Sequence, residues 1–134
     1  MLDTQPSVLI VDDDASLRLT LTHVLGSAGY QVRSVDGVFA ALSQIREDVP
    51  DILLSDLNMP GLSGFELLSV VRRCFPGIVV VAMSGAYFGD GIPTGVMADA
   101  FFEKGRGAAA LIDIVGTVAS RQAPQTLSDV VLYN

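Results

Sequence analysis

Five residues stand out by type and place: the adjacent pair Asp12 and Asp13, the lone Asp56, Ser84 and Lys104. Each lies at the end of a short apolar run. Their side chains suit phosphoryl transfer. A carboxylate can act as nucleophile and form an aspartyl phosphate. Clustered carboxylates offer the hard oxygen ligands Mg²⁺ prefers, and the metal then offsets the charge of the incoming phosphoryl group. A lysine ammonium is a point-charge partner for phosphate, and a serine hydroxyl can donate to a phosphoryl oxygen. Singly, none is specific. An Asp-Asp pair after a strand can serve as a helix cap, a serine there as a turn residue, and a lysine as a solvated charge. The signal lies in their coincidence.

The elements that must position them alternate between two periodicities. Val8-Leu9-Ile10-Val11 reads as a strand buried on both faces. Asp14 follows as the N-cap of a helix whose Leu17, Leu21, Val24, Leu25 and Ala28 share one face, with Gly29 at C′. Residues 31–35 read as a second strand and 38–48 as a helix with Leu42 and Ile45 inward. Pro50 marks a break before a third strand, 52–55. The loop 59–64 leads to a helix, 65–75, stopped by Pro76-Gly77. A β-branched fourth strand covers 78–83, a fifth 100–103, and a last helix 108–121. Between strands four and five, Gly85, Gly89, Gly91, Pro93 and Gly95 oppose a long helix, so a short or irregular one at 94–99 is expected. The alternation implies an α/β fold with a parallel sheet and helices on both faces. In such folds the site lies at the carboxyl ends of the strands, near a switch in strand order. Asp12 and Asp13, Asp56, Ser84 and Lys104 fall at four such ends.

The chain has 134 residues, 50% of them hydrophobic, enough for one domain with a real core. Its net charge of −7 argues against direct nucleic-acid binding, which needs clustered basic residues. No apolar run has membrane-spanning length and no signal-peptide pattern is visible, so no membrane partner and a cytoplasmic setting are expected. The single cysteine, Cys74, has no internal disulfide partner and reads as a small, partly buried hydrophobe. His23 lies off the apolar face of its helix and reads as an exposed structural residue.

The chain resembles the response-regulator receiver domain of two-component signalling. The likeness covers roughly residues 7–121. It rests on Val8-Leu9-Ile10-Val11-Asp12-Asp13-Asp14, on Leu54-Ser55-Asp56-Leu57-Asn58-Met59-Pro60-Gly61 with Gly64, on Ser84, and on Phe102-Glu103-Lys104. It implies a doubly wound (βα)5 sandwich with a flavodoxin-like parallel sheet of order 2-1-3-4-5. It implies that Asp56 is the phosphoacceptor. Asp13, Asp56 and the Asn58 backbone carbonyl would ligate Mg²⁺, with Asp12 acting directly or through water. Lys104 and Ser84 would bind the phosphoryl group, and Ser84 and Phe101 would be the switch pair. A histidine kinase or phosphotransfer protein would supply the phosphoryl group, and the signal would pass by altered binding to a downstream protein not named by the sequence. The domain would be no enzyme beyond catalysing its own phosphorylation and dephosphorylation. Residues 1–121 would form it, with 122–134 a tail or the start of a linker.

The chain departs from the family at Gly105, at Ala86 and in the Gly-rich stretch after Ser84, which bears on the output surface that many relatives build from their fourth helix and fifth strand. Gly105 follows the lysine where the family usually has proline, so a cis bond is not expected there. Ala86, two residues after Ser84, often a polar position in relatives, cannot position a water, so a longer-lived Asp56 phosphate is expected than in Ala86→Glu. Two other functions compete. A Mg²⁺-dependent aspartyl-nucleophile hydrolase should have a general acid where Asn58 stands. A phosphorylation-independent scaffold receiver would be supported by loss of Asp13, Asp56 or Lys104, and all three are present.

Overall fold

A computed structural model of the chain describes residues 5–59, 64–85 and 97–133, with the backbone alone over 121–133. Five strands, β1 (Ser7–Val11), β2 (Gln31–Val35), β3 (Ile52–Asp56), β4 (Val79–Ser84) and β5 (Ala100–Glu103), form one sheet of order β2-β1-β3-β4-β5. All four pairings are parallel. Among the described residues there are four helices, α1 (Ala15–Ser27), α2 (Val38–Glu47), α3 (Gly64–Cys74) and α4 (Ala108–Tyr133). None is long and apolar enough to cross a membrane.

Side chains alternate across a strand, so consecutive apolar residues feed opposite faces. Val8 and Ile10, with Ile52, Leu54, Val81, Met83 and Phe102, pack on one side against Leu21 and Leu25 of α1 and Leu111, Val115 and Val118 of α4. Leu9 and Val11, with Leu53, Val80 and Ala82, pack on the other against Ala41 and Ile45 of α2 and Leu67, Leu68 and Val71 of α3. The unbroken apolar runs of the central strands follow from this two-sided burial. Each such leucine contributes roughly 1.5–3 kcal/mol by leaving water. β2, at the sheet edge, is only half-buried.

Most expected boundaries hold within a residue. Gly29 takes φ +102° at the end of α1, the left-handed C′ conformation that glycine adopts without a Cβ penalty. Three expectations are corrected. Ala28 is exposed, because it is the C-cap of α1 and the chain has already begun to turn. Cys74 is exposed, because it lies beyond Val71, the last inward residue of α3. α4 runs past residue 121 to Tyr133. Of the helix expected at 94–99, residues 97–99 are irregular and the rest lie outside the described residues, as does Ala86.

Candidate functional site

β1 is the first strand laid down, β2 lies on one side of it and β3 on the other. Their connections diverge and leave a crevice beyond the carboxyl ends of β1 and β3. Asp12 follows β1 and Asp56 ends β3, so both face that crevice. They are almost fully buried, at 0% and 1% exposure. Ser84, at the end of β4, is also 0% exposed.

Lys104 closes the group from the far side. Its Nζ lies 2.9 Å from Asp12 Oδ2 and 3.1 Å from Asp56 Oδ2. Its own N–H donates to the Ser84 carbonyl at 2.9 Å, continuing the β4–β5 ladder one residue past the strand. Asp56 Oδ1 accepts the Asn58 N–H at 3.1 Å, and Leu57 N–H donates to the Met83 carbonyl at 2.8 Å, which fixes the chain just after Asp56. Asp12 Oδ1 accepts the Asp14 N–H at 2.8 Å. Asp14 Oδ1 in turn accepts from the N–H groups of Ser16 and Leu17, which confirms it as the α1 cap rather than a member of the cluster.

The electrostatics follow from burial. Desolvation raises the Asp56 pKa above its ordinary value. The Asn58 N–H and the Lys104 ammonium pull it down, and the nearby Asp12 adds to the rise. Burial alone would lower the Lys104 pKa, but its bonds to Asp12 and Asp56 outweigh that and raise it. One lysine therefore serves two buried carboxylates. Asp12 Oδ2 is ion-paired with it, yet is buried without a hydrogen bond of good geometry.

Asp13 is exposed, and carboxylate oxygens of Asp12, Asp13 and Asp56 lie within 4.8 Å of one another. An under-bonded buried oxygen, a second buried carboxylate and an exposed third match what a hard divalent cation needs: charged oxygen ligands on one side and open solvent for its waters on the other.

Asn58 is exposed at the rim, and its side-chain Nδ2 donates to Ser84 Oγ at 2.9 Å. An amide there cannot transfer a proton. Phe101 is half-buried in β5, opposite Ala82 in register, and packs against the α2–α3 side of the core. Gly64 opens α3 directly over Asp56: a Cβ there would overlap the Asp56 carbonyl oxygen and the Leu57 backbone. After Lys104 the described peptide bonds are trans, as expected, and Gly105 turns the chain with φ +92°.

Two hydrogen bonds at the site were among the contacts not legible in the sequence. One is the Asn58–Ser84 bond, which needs β3 and β4 to be neighbours. The other is Arg18, whose Nη1 donates to the Asp12 carbonyl at 2.7 Å. Side chains on a helix lean toward its N-terminus, so a residue in the first turns of α1 can reach back to the β1 edge.

The profile of the response regulator receiver domain matches residues 8–114. The chain belongs to this family. FleR, a response regulator protein of Pseudomonas aeruginosa, is 32% identical over 124 residues, which cover 91% of this chain and 26% of FleR. The DNA-binding transcriptional regulator NtrC of Escherichia coli is 35% identical over 77 residues, 58% of this chain and 16% of NtrC. This receiver chain thus spans about a quarter of FleR or less of such relatives. Among solved structures, the chemotaxis response regulator CheY4 of Vibrio cholerae matches with a TM-score of 0.78 and 27% identity, covering 86% of this chain and 99% of that one. NtrX of Brucella abortus matches with a TM-score of 0.82 and 26% identity over 95% of this chain and 30% of that one.

Proposed function

We propose that this receiver domain, residues 1–121, is a phosphorylation switch whose acceptor is Asp56, with 122–134 serving as a tail or the start of a linker. The observation that carries the proposal is the meeting of Asp12, Asp56 and Lys104 from three strand ends within ion-pair distance.

A histidine kinase or phosphotransfer protein presents a phosphohistidine. An Asp56 carboxylate oxygen attacks phosphorus, the P–N bond breaks and the imidazole leaves. Asp12, Asp13 and Asp56, with the Asn58 main-chain carbonyl, would hold Mg²⁺, which supplies charge neutralisation for the phosphoryl oxygens. Lys104 is already placed to exchange an Asp56 oxygen for a phosphoryl oxygen. The Ser84 hydroxyl turns from Asn58 toward the new anion, and Phe101 follows it inward. The surface change is then read by a downstream protein. The domain catalyses only its own phosphorylation and dephosphorylation, in a cytoplasmic setting.

The test is intact-mass analysis after incubation with acetyl phosphate and Mg²⁺. A gain of about 80 Da, one phosphoryl group, is expected in the wild type and not in Asp56→Asn. A gain that survives in Asp56→Asn would move the acceptor elsewhere.

A further inference from the structure

We propose that Arg18 is a positioning residue for the metal-binding turn: by gripping the Asp12 carbonyl, it sets the direction in which Asp13 presents its carboxylate. The inference rests on the reading above that Asp13 ligates Mg²⁺.

Asp13 is exposed, and among the described residues its side chain has no hydrogen bond or ion pair of its own. Its carboxylate is therefore placed by the backbone beneath it. The Asp12 carbonyl and the Asp13 N–H belong to one rigid peptide plane. Whatever holds that carbonyl also fixes where the Asp13 N and Cα lie, the base that carries its Cβ. Arg18 Nη1 holds it at 2.7 Å, a short, charge-assisted bond.

The other ties on Asp12 run through its side chain to Asp14 N–H and Lys104 and through its N–H to the Val35 carbonyl. The side-chain ties use the very oxygens that the metal would claim. The Arg18 bond is independent of them, so it persists when the carboxylate is recruited. Among the described residues Arg18 has no carboxylate within ion-pair distance, so its guanidinium is committed to this carbonyl rather than to a surface ion pair.

The sign of the effect separates positioning from simple charge. A cation beside the site repels Mg²⁺, so if Arg18 acted only through space, removing it would tighten binding. If Arg18 positions Asp13, removing it loosens binding, as loss of a partner that orients a metal ligand does, by about tenfold.

The experiment is calorimetric titration of Mg²⁺ into the full chain, its Arg18→Met variant, Asp13→Asn, and the double variant. Arg18→Met is expected to bind Mg²⁺ about tenfold more weakly. The double variant is expected to bind no more weakly than Asp13→Asn alone, because Arg18 then has no ligand left to position. Unchanged or tighter binding by Arg18→Met, or a further loss in the double variant, would overturn the inference. If Arg18→Met does not fold, Arg18→Gln, too short to reach the carbonyl, answers the same question with the same signs. Absence of Mg²⁺ binding by the wild type would overturn the function proposed above, and the inference with it.

Discussion

At the amino edge of the sheet, aspartates are tied off. Asp51 Oδ2 accepts the Ser7 N–H at 2.8 Å and lies 3.2 Å from its hydroxyl, while the Asp51 N–H donates back to that hydroxyl at 3.0 Å. Asp99 Oδ2 accepts the Val80 N–H at 2.8 Å and pairs with Arg72 at 3.1 Å. These acids staple β1 to β3 and β4 to the start of β5. At the carboxyl edge, Asp12 and Asp56 are more deeply buried, share one lysine, and leave a carboxylate oxygen without a hydrogen bond. Backbone donors serve both edges, since Asp12 and Asp56 each accept one N–H, but among the described residues a buried carboxylate oxygen without a hydrogen bond occurs at the carboxyl edge, on Asp12. An under-satisfied buried carboxylate is costly, and the apolar core beneath it offsets that cost.

The comparison can be broken by removing each edge's cation. Lys104→Met leaves two buried carboxylates without a counter-charge, and unfolding free energy should fall by about 3 kcal/mol in Mg²⁺-free urea titrations. Arg72→Met removes a partly exposed ion pair while the Val80 N–H still serves Asp99. Its loss should be only about 0.5–1 kcal/mol. Equal losses would mean that the two edges do not differ.

Close packing above Asp56 gives the next effect. Gly64→Ala forces a Cβ into the Asp56 carbonyl and the Leu57 backbone. It should cost about 2 kcal/mol, as overpacking does, and slow phosphorylation by acetyl phosphate as α3 shifts. Wild-type stability and rate together would show that this close approach is not needed.

Metal sharpens the contrast further. Mg²⁺ should raise the Tm of the wild type, by up to about 2.7 kcal/mol of stabilisation at a hundredfold excess over Kd. Asp13→Asn should abolish most of that rise, and Asp99→Asn, at the opposite edge, should leave it intact. A full Mg²⁺ response in Asp13→Asn would count against Asp13 as a ligand.

The smallest effect is on pH dependence. Burial holds the folded Asp56 pKa above its unfolded value. A group shifted that way contributes stability below its unfolded pKa and loses it as pH rises through the folded one. In Mg²⁺-free buffer, then, wild-type stability should fall relative to Asp56→Asn as pH rises from the acid side of the carboxylate range to neutrality. A difference that stays flat or reverses would show that Lys104 overcompensates the burial.

Much of this site was legible before any fold. The apolar runs ending in Asp12, Asp56 and Ser84, and the lysine after Phe102-Glu103, point to the proposed chemistry because a buried parallel strand needs an unbroken apolar run and sites in such folds lie at the strands' carboxyl ends. The N-cap at Asp14 and the left-handed turn at Gly29 are likewise local, set by a side-chain oxygen and a missing Cβ. What the sequence could not reveal were bonds between elements distant in the chain. That Lys104 bridges Asp12 and Asp56, that Asn58 holds Ser84, that Gly64 seats α3 on the Asp56–Leu57 backbone, and that Cys74 faces solvent all depend on which strands become neighbours and how helices lie on them. Those choices are made by the packing of two apolar faces against four helices, an interaction without a sequence-local signature. The sequence alone therefore determined which groups could react, and the tertiary structure decided how they share charge.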